Sequence, residues 1–268
     1  MTDPAPATTA QDTGSSIASA DSGTALPQVF SVLSSERKFD GRIVSVRVDD
    51  VVMPGGGTAK REVVEHGGAV AVVALDTAGP LDQAADFTVV DNRLSADMVI
   101  LIEQYRHPLG RRLWELPAGL LDIQDEPALV GAKRELYEET GYSAEQWSVL
   151  LDVATSPGFT EETVRIYLAT GLTLGGRPAS EHEEADLRVV RVPLSVAVQS
   201  ALAGRIVNVM AVAGILAADA VLRGSAVVVD RSDESVHDQN QPWTVFTGAG
   251  APAAPPLEGA AASAERSR

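Results

Sequence analysis

The chain has 268 residues, 45% of them apolar, which suffices for one large domain or two small ones around a substantial core. Its formal net charge of −16 argues against a nucleic-acid polymer as partner, because phosphate backbones are bound by clustered Lys and Arg. Cysteine is absent, which excludes disulfides, zinc–thiolate sites and thiol catalysis. A single small phosphorylated ligand remains compatible with this charge, since a local Arg or a bridging metal can hold it.

Residues 1–27 are mostly Ser, Thr, Ala, Asp and Pro, too poor in large apolar side chains to bury a core, and a disordered tail is expected. Arg42–Pro54 ("RIVSVRVDDVVMP") alternates apolar and polar residues like a half-buried strand, and the glycines at 55–57 predict a turn. Ala69–Leu75 and Met98–Tyr105 read as buried strands separated by a polar loop. A helix is expected over Pro127–Thr140, with Pro near its start, Leu129, Ala132 and Leu136 on one stripe, and Gly141 as its stop. Val164–Thr170 and Leu187–Leu194 follow as strands, then Ala-rich helices over Leu194–Ala203 and Val207–Leu222. The longest apolar run, Val209–Ala218, is too short to span a bilayer. No basic segment followed by an apolar one opens the chain, so a cytoplasmic protein without membrane association is expected. From Ser232 to Arg268 the composition again predicts a largely disordered tail, with Trp243, Val245 and Phe246 as a segment able to dock on the body. Strands interleaved with a few helices point to an α/β or α+β sandwich.

Residues 134–141, "RELYEETG", set Glu135, Glu138 and Glu139 within about a 100° arc of one helix face. Such neighbours repel, and oxygen-only ligands suit a hard cation such as Mg²⁺ or Mn²⁺ that offsets the repulsion. On their own, three glutamates in so acidic a chain read more readily as a solvated face. The surrounding residues decide between the two.

Gly119–Tyr142, "GLLDIQDEPALVGAKRELYEETGY", resembles the Nudix box: Gly, five residues, Glu, seven residues, then Arg-Glu-(large apolar), one residue, Glu-Glu, one residue, Gly-(apolar). Arg134, Glu135, Leu136, Glu138, Glu139, Gly141 and Tyr142 match in register, and Glu126 stands at its proper distance before Arg134. One departure exists: six residues separate Gly119 from Glu126, so either the loop is one residue longer or Asp125 replaces the glutamate. "QYRHPLGRRLWELPAG" (Gln104–Gly119), "SPGFTEE" (Ser156–Glu162) and "KREVVEHGGAVAVVAL" (Lys60–Leu75) further resemble ADP-ribose pyrophosphatases of the Nudix superfamily. The likeness covers about Phe39 to Leu222 and neither tail.

This resemblance implies a Nudix α/β/α sandwich with a mixed sheet and an N-terminal β-strand extension that forms a homodimer. The chain then divides into a tail at 1–27, an N-terminal β segment at 28–62, a Nudix hydrolase domain at 63–231 and a tail at 232–268. The implied reaction is Mg²⁺- or Mn²⁺-dependent hydrolysis of ADP-ribose to AMP and ribose 5-phosphate. Residue by residue, Glu135, Glu139 and Glu138 become metal ligands with the carbonyl of Ala118, and Glu138 doubles as a water-orienting group. Arg134 holds these carboxylates in place. A catalytic base is expected in the acidic loop "EHEEADLRV", first at Glu183 and next at Glu184. Arg106 is the expected phosphate clamp and Arg61 a grip reaching over from the partner subunit, while Glu115 and Glu162 lie near the ribose or the metal waters. Hydrolysis of another nucleotide sugar, of a dinucleotide or of an oxidised nucleotide stays open, as does a non-catalytic nucleotide-sensing module.

Overall fold

The computed structural model describes residues 30–76, 97–178 and 186–226. Both expected tails, the Trp243–Phe246 segment and the loop glutamates Glu183 and Glu184 lie outside the described residues. Three antiparallel strands open the fold: β1 (Val32–Asp40), β2 (Val44–Val52) and β3 (Thr58–His66), in the order β1-β2-β3. A second, seven-stranded sheet contains β4 (Ala69–Asp76), β5 (Met98–Arg106), β6 (Arg111–Glu115), β7 (Ala118–Leu120), β8 (Tyr142–Ala154), β9 (Thr163–Leu174) and β10 (Arg188–Pro193). Its main path runs β10-β5-β4-β9-β8, with β6 on β5 and β7 on β4; β4 and β9 are parallel and the other pairs antiparallel, which makes the sheet mixed.

Helices cover both faces of the larger sheet. The unbroken apolar run of β4 follows from this, because neither set of its alternating side chains meets water. Val70, Val72 and Ala74 pack toward helix α1 (Ala128–Thr140), joined there by Ala128, Ala132 and Leu136. Ala71, Val73 and Leu75 pack toward α2 (Leu194–Leu202) and α3 (Val209–Leu222), with Val196, Ile206, Ala211, Ile215 and Ala218. Gly214 lets α3 lie directly on the sheet: a Cβ there would stand 2.8 Å from Leu116 Cδ1 and 2.9 Å from Val73 Cγ2. The outcome is the expected α/β/α sandwich. No described helix is long and apolar enough to cross a membrane.

The buried stripe of α1 is Ala128, Ala132 and Leu136 at four-residue spacing, one position away from the predicted start at Leu129, which is only half-buried. Its end is as expected. Gly141 takes φ +77°, donates its N–H to Tyr137 O at 2.8 Å, and would place a Cβ 2.6 Å from the backbone nitrogen of Arg177.

The smaller sheet is stitched to the larger body through one residue of β3. Val64 N donates to Phe159 O at 2.7 Å, and Glu161 N donates back to Val64 O at 3.3 Å. Arg47 on β2, held by Glu65 of β3 at 2.8 Å, reinforces the seam by reaching Glu161 at 3.3 Å. β3 itself runs on to His66, through the position where the sequence suggested dividing the N-terminal segment from the hydrolase domain.

Candidate active site

Helix α1 presents its carboxylates to the short strand β7. Val72 N donates to Pro117 O and Leu121 N to Gly68 O, so the ladder bonds between β4 and β7 fall on alternate residues. Ala118 lies between them, and both its amide and its carbonyl therefore turn away from β4. The amide donates to Glu139 Oε2 at 2.9 Å. Beside it, Gly119 receives the side chain of Glu135, where an added Cβ would stand 2.0 Å from the carboxyl carbon and 2.1 Å from Oε1. A side chain on residue 119 would have to displace that carboxyl. Both glutamates are buried, at 9% and 5% exposure, whereas the Glu138 side chain is 38% exposed.

Arg134 organises this face. It donates to both oxygens of Glu126 at 3.1 and 3.0 Å, to Glu135 Oε1 at 2.6 Å and to Glu138 Oε2 at 3.0 Å. The bidentate bond from Arg134 holds the Glu126 carboxyl below the ordinary carboxylate range, and the same partners, Glu126 foremost, raise the guanidinium above its own. Glu126, not Asp125, is thus the box glutamate. The additional loop residue is absorbed at Asp125, whose φ of +60° is the one positive value outside glycine among the described residues. Gly131 makes room for the pair, since a Cβ there would come 3.0 Å from Glu126 Oε2.

Among the described residues no three acidic or imidazole side chains form a ready-made metal cage. The donor chemistry nonetheless suits a hard dication. Every candidate ligand atom on this face is an oxygen: three carboxylates share one guanidinium, and a fourth rests on a peptide N–H.

A cleft of about 500 Å³ adjoins Ala118 and Gly119 and is lined by Arg106, Glu115, Glu162 and His66. Arg106 ends β5 and Glu115 ends β6. The guanidinium gives Nε to Glu115 Oε1 at 2.9 Å and one terminal nitrogen to Oε2 at 2.7 Å, while the Glu115 side chain is wholly buried. Glu115 therefore aims Arg106 into the cleft. Glu162 accepts from Thr155 Oγ1 at 2.5 Å and stands 3.4 Å from His66 Nδ1. Ile43, Leu109 and Met210 add apolar wall, so the smaller sheet and the start of α3 both reach the cleft.

A family model for the NUDIX domain matches residues 80–210, and one for the nucleoside diphosphate sugar hydrolase N-terminal domain matches residues 31–64. An ADP-ribose pyrophosphatase from Mycobacterium tuberculosis is 49% identical over 197 residues, covering 74% of this chain and 86% of the relative. The chain is a Nudix hydrolase. A methanol dehydrogenase activator from Bacillus methanolicus is 38% identical over 167 residues, 62% of this chain and 80% of the relative. The crystal structure of an ADP compounds hydrolase shares the fold at a TM-score of 0.56 and 20% identity, covering 74% of this chain and 96% of that one.

In this Nudix hydrolase the sequence-derived residues do not all come together. Ala118, Glu135, Glu138 and Glu139 meet at the junction of α1 and β7, and Arg106, Glu115 and Glu162 line the adjoining cleft. Arg61 stands apart on the exposed first half of β3, donating to Lys60 O at 2.9 Å. Glu183 lies outside the described residues, but both approaches to its loop are described. Arg177 donates to Glu138 O at 3.2 Å and to Leu187 O at 3.3 Å, and Arg112 pairs with Asp186. Sequence reasoning passed over His66, Thr155 and Arg177. For His66 the available signal was an imidazole at the end of a strand, directly before two glycines.

Proposed function

We propose that this Nudix hydrolase cleaves the pyrophosphate of ADP-ribose to AMP and ribose 5-phosphate. The observation that carries the reading is the meeting of a carboxylate-lined helix with a cleft whose wall holds a buttressed guanidinium, Arg106 on Glu115. An acidic protein needs such a local cation to hold a diphosphate. The 49% identical Mycobacterium tuberculosis relative supports the same substrate.

Glu135, Glu138, Glu139 and the carbonyl of Ala118 would hold Mg²⁺ or Mn²⁺. Such an ion supplies neutralisation of the diphosphate charge and a lowered pKa for bound water. The chain's own residues do the rest. Arg134 fixes the rotamers of Glu135 and Glu138, Gly119 admits the Glu135 carboxyl, and Arg106 binds phosphate oxygens in an orientation set by Glu115. Glu183, with Glu184 as the next candidate, takes the proton of the attacking water as the P–O bond to the leaving phosphate breaks. Arg177 supports a loop base at this position by tying Leu187, just past the loop, to the backbone of Glu138.

The strand segment 28–62 is proposed as the dimerisation unit that brings Arg61 to the partner's site, with 63–231 as the hydrolase domain. Supporting this, β1 is exposed along its whole length and carries Val32, Leu33 and Phe39 on its surface. A cytoplasmic location belongs to the same proposal. The test is purified protein assayed against ADP-ribose, other nucleotide sugars, dinucleotides and nucleoside triphosphates, with and without EDTA. ADP-ribose should be turned over best, and EDTA should abolish it; a clear preference for a triphosphate would overturn the reading.

A further inference from the structure

We propose that His66 reads the substrate directly, forming with Glu162 a pair of acceptors for the vicinal hydroxyls of a ribose whose phosphate rests on Arg106. The inference deepens the proposed function and rests on it.

The protonation of His66 follows from its neighbours. Its Nδ1 lies 2.6 Å from Gly67 O and 3.4 Å from Glu162 Oε1. A carbonyl oxygen and a carboxylate only accept, so the proton sits on Nδ1. In the neutral ring Nε2 is then an acceptor, and no described protein group donates to it. The ring is largely buried, with its side chain 14% exposed, and it lines the cleft. Glu162 is held from both sides, by Thr155 Oγ1 on Oε2 and by His66 near Oε1. A carboxylate has about four lone-pair positions, so each oxygen can still accept from a ligand.

One wall of the cleft thus offers two adjacent acceptors, and another offers the guanidinium of Arg106. A phosphate is drawn to the guanidinium and repelled by Glu162. An adenine edge sets an acceptor beside its amino donor, so it meets an acceptor pair with one mismatch. A ribose diol presents two donors side by side, and a ribose phosphate satisfies both walls together.

The experiment compares ADP-ribose with two analogues, one lacking the 2-hydroxyl of the nucleoside ribose and one lacking it on the distal ribose. For the wild-type protein, one analogue should lose about tenfold in kcat/KM, chiefly through KM, the scale of one hydrogen bond left unmade in a site built for it. His66→Leu should lose a similar factor on ADP-ribose and nothing further on that analogue, while His66→Gln, which retains an acceptor, should recover part of the loss. Which analogue loses identifies the ribose being read. If both are hydrolysed as well as ADP-ribose, or if His66→Leu costs the same factor on all three substrates, the inference fails alone. If the wild-type protein turns over none of them, the functional reading fails with it. Should His66→Leu not fold, the wild-type comparison still decides.

Discussion

The carboxyl group of Glu135 occupies the space that a side chain on Gly119 would need, with 2.0 Å between the added Cβ and the carboxyl carbon. The colliding atoms are the end of a long side chain, so Gly119→Ala should fold and displace Glu135. Turnover should drop about 10–100-fold with a near-unchanged melting temperature, the scale seen when groups that orient metal ligands are lost. Steady-state kinetics over a magnesium titration, alongside thermal melts, would show it; wild-type kcat at saturating metal would contradict the proposed role of Glu135.

Glu139→Gln should nearly abolish turnover, by at least about 100-fold, while the variant melts like the parent. The amide oxygen can still accept from the Ala118 N–H, so packing survives where the charge does not. Wild-type rates would remove the metal-helix proposal.

Glu126 ties acid stability to the same helix. Its bond from Arg134 lowers its folded pKa, so the pair's contribution is full above the unfolded value of about 4.3 and is lost as pH falls through the folded one. Urea unfolding between pH 3 and pH 6 should show a steeper loss in the parent than in Glu126→Gln, which gives up that contribution at every pH. Parallel curves would refute the assignment.

Much of this helix was legible beforehand because its signals are local. Proline, an apolar stripe and a terminal glycine bounded α1 to within one residue, and the box spacing placed the carboxylates. Helices α2 and α3 and strands β4, β5, β9 and β10 were legible in the same way, each being a run of buried apolar residues. β1 was not, since "VLSSERKFD" is exposed throughout and forms a strand by pairing with β2, not by burying a face. Nor were β6 and β7, whose few residues are strand only because β5 and β4 run beside them. The partnership of Arg106 with Glu115 was likewise invisible: each was a plausible ligand contact, and their pairing depends on how two neighbouring strands align.

Glu183→Ala should slow the chemical step strongly with little change in metal affinity, because the proposed base does not belong to the ligand set. Single-turnover rates beside a metal-binding isotherm separate the two. An unaltered rate would move the base to Glu184 or Glu138.

Gly214→Val should destabilise the protein by about 1–3 kcal/mol, since its added methyls must push Leu116 and Val73 apart in a packed layer. Denaturant unfolding would measure it, and an unchanged midpoint would mean that α3 yields at no cost.

The hydrogen bonds from Val64 to the Phe159–Glu161 turn have a practical corollary for anyone cutting the gene. A truncation placed between Glu62 and Val63 leaves Val64 its bonds to that turn but severs β3 mid-strand and removes β2, which pairs with Val63–His66 and carries Arg47 against Glu161. A hydrolase domain counted from residue 63 would therefore begin inside a strand whose neighbour it lacks.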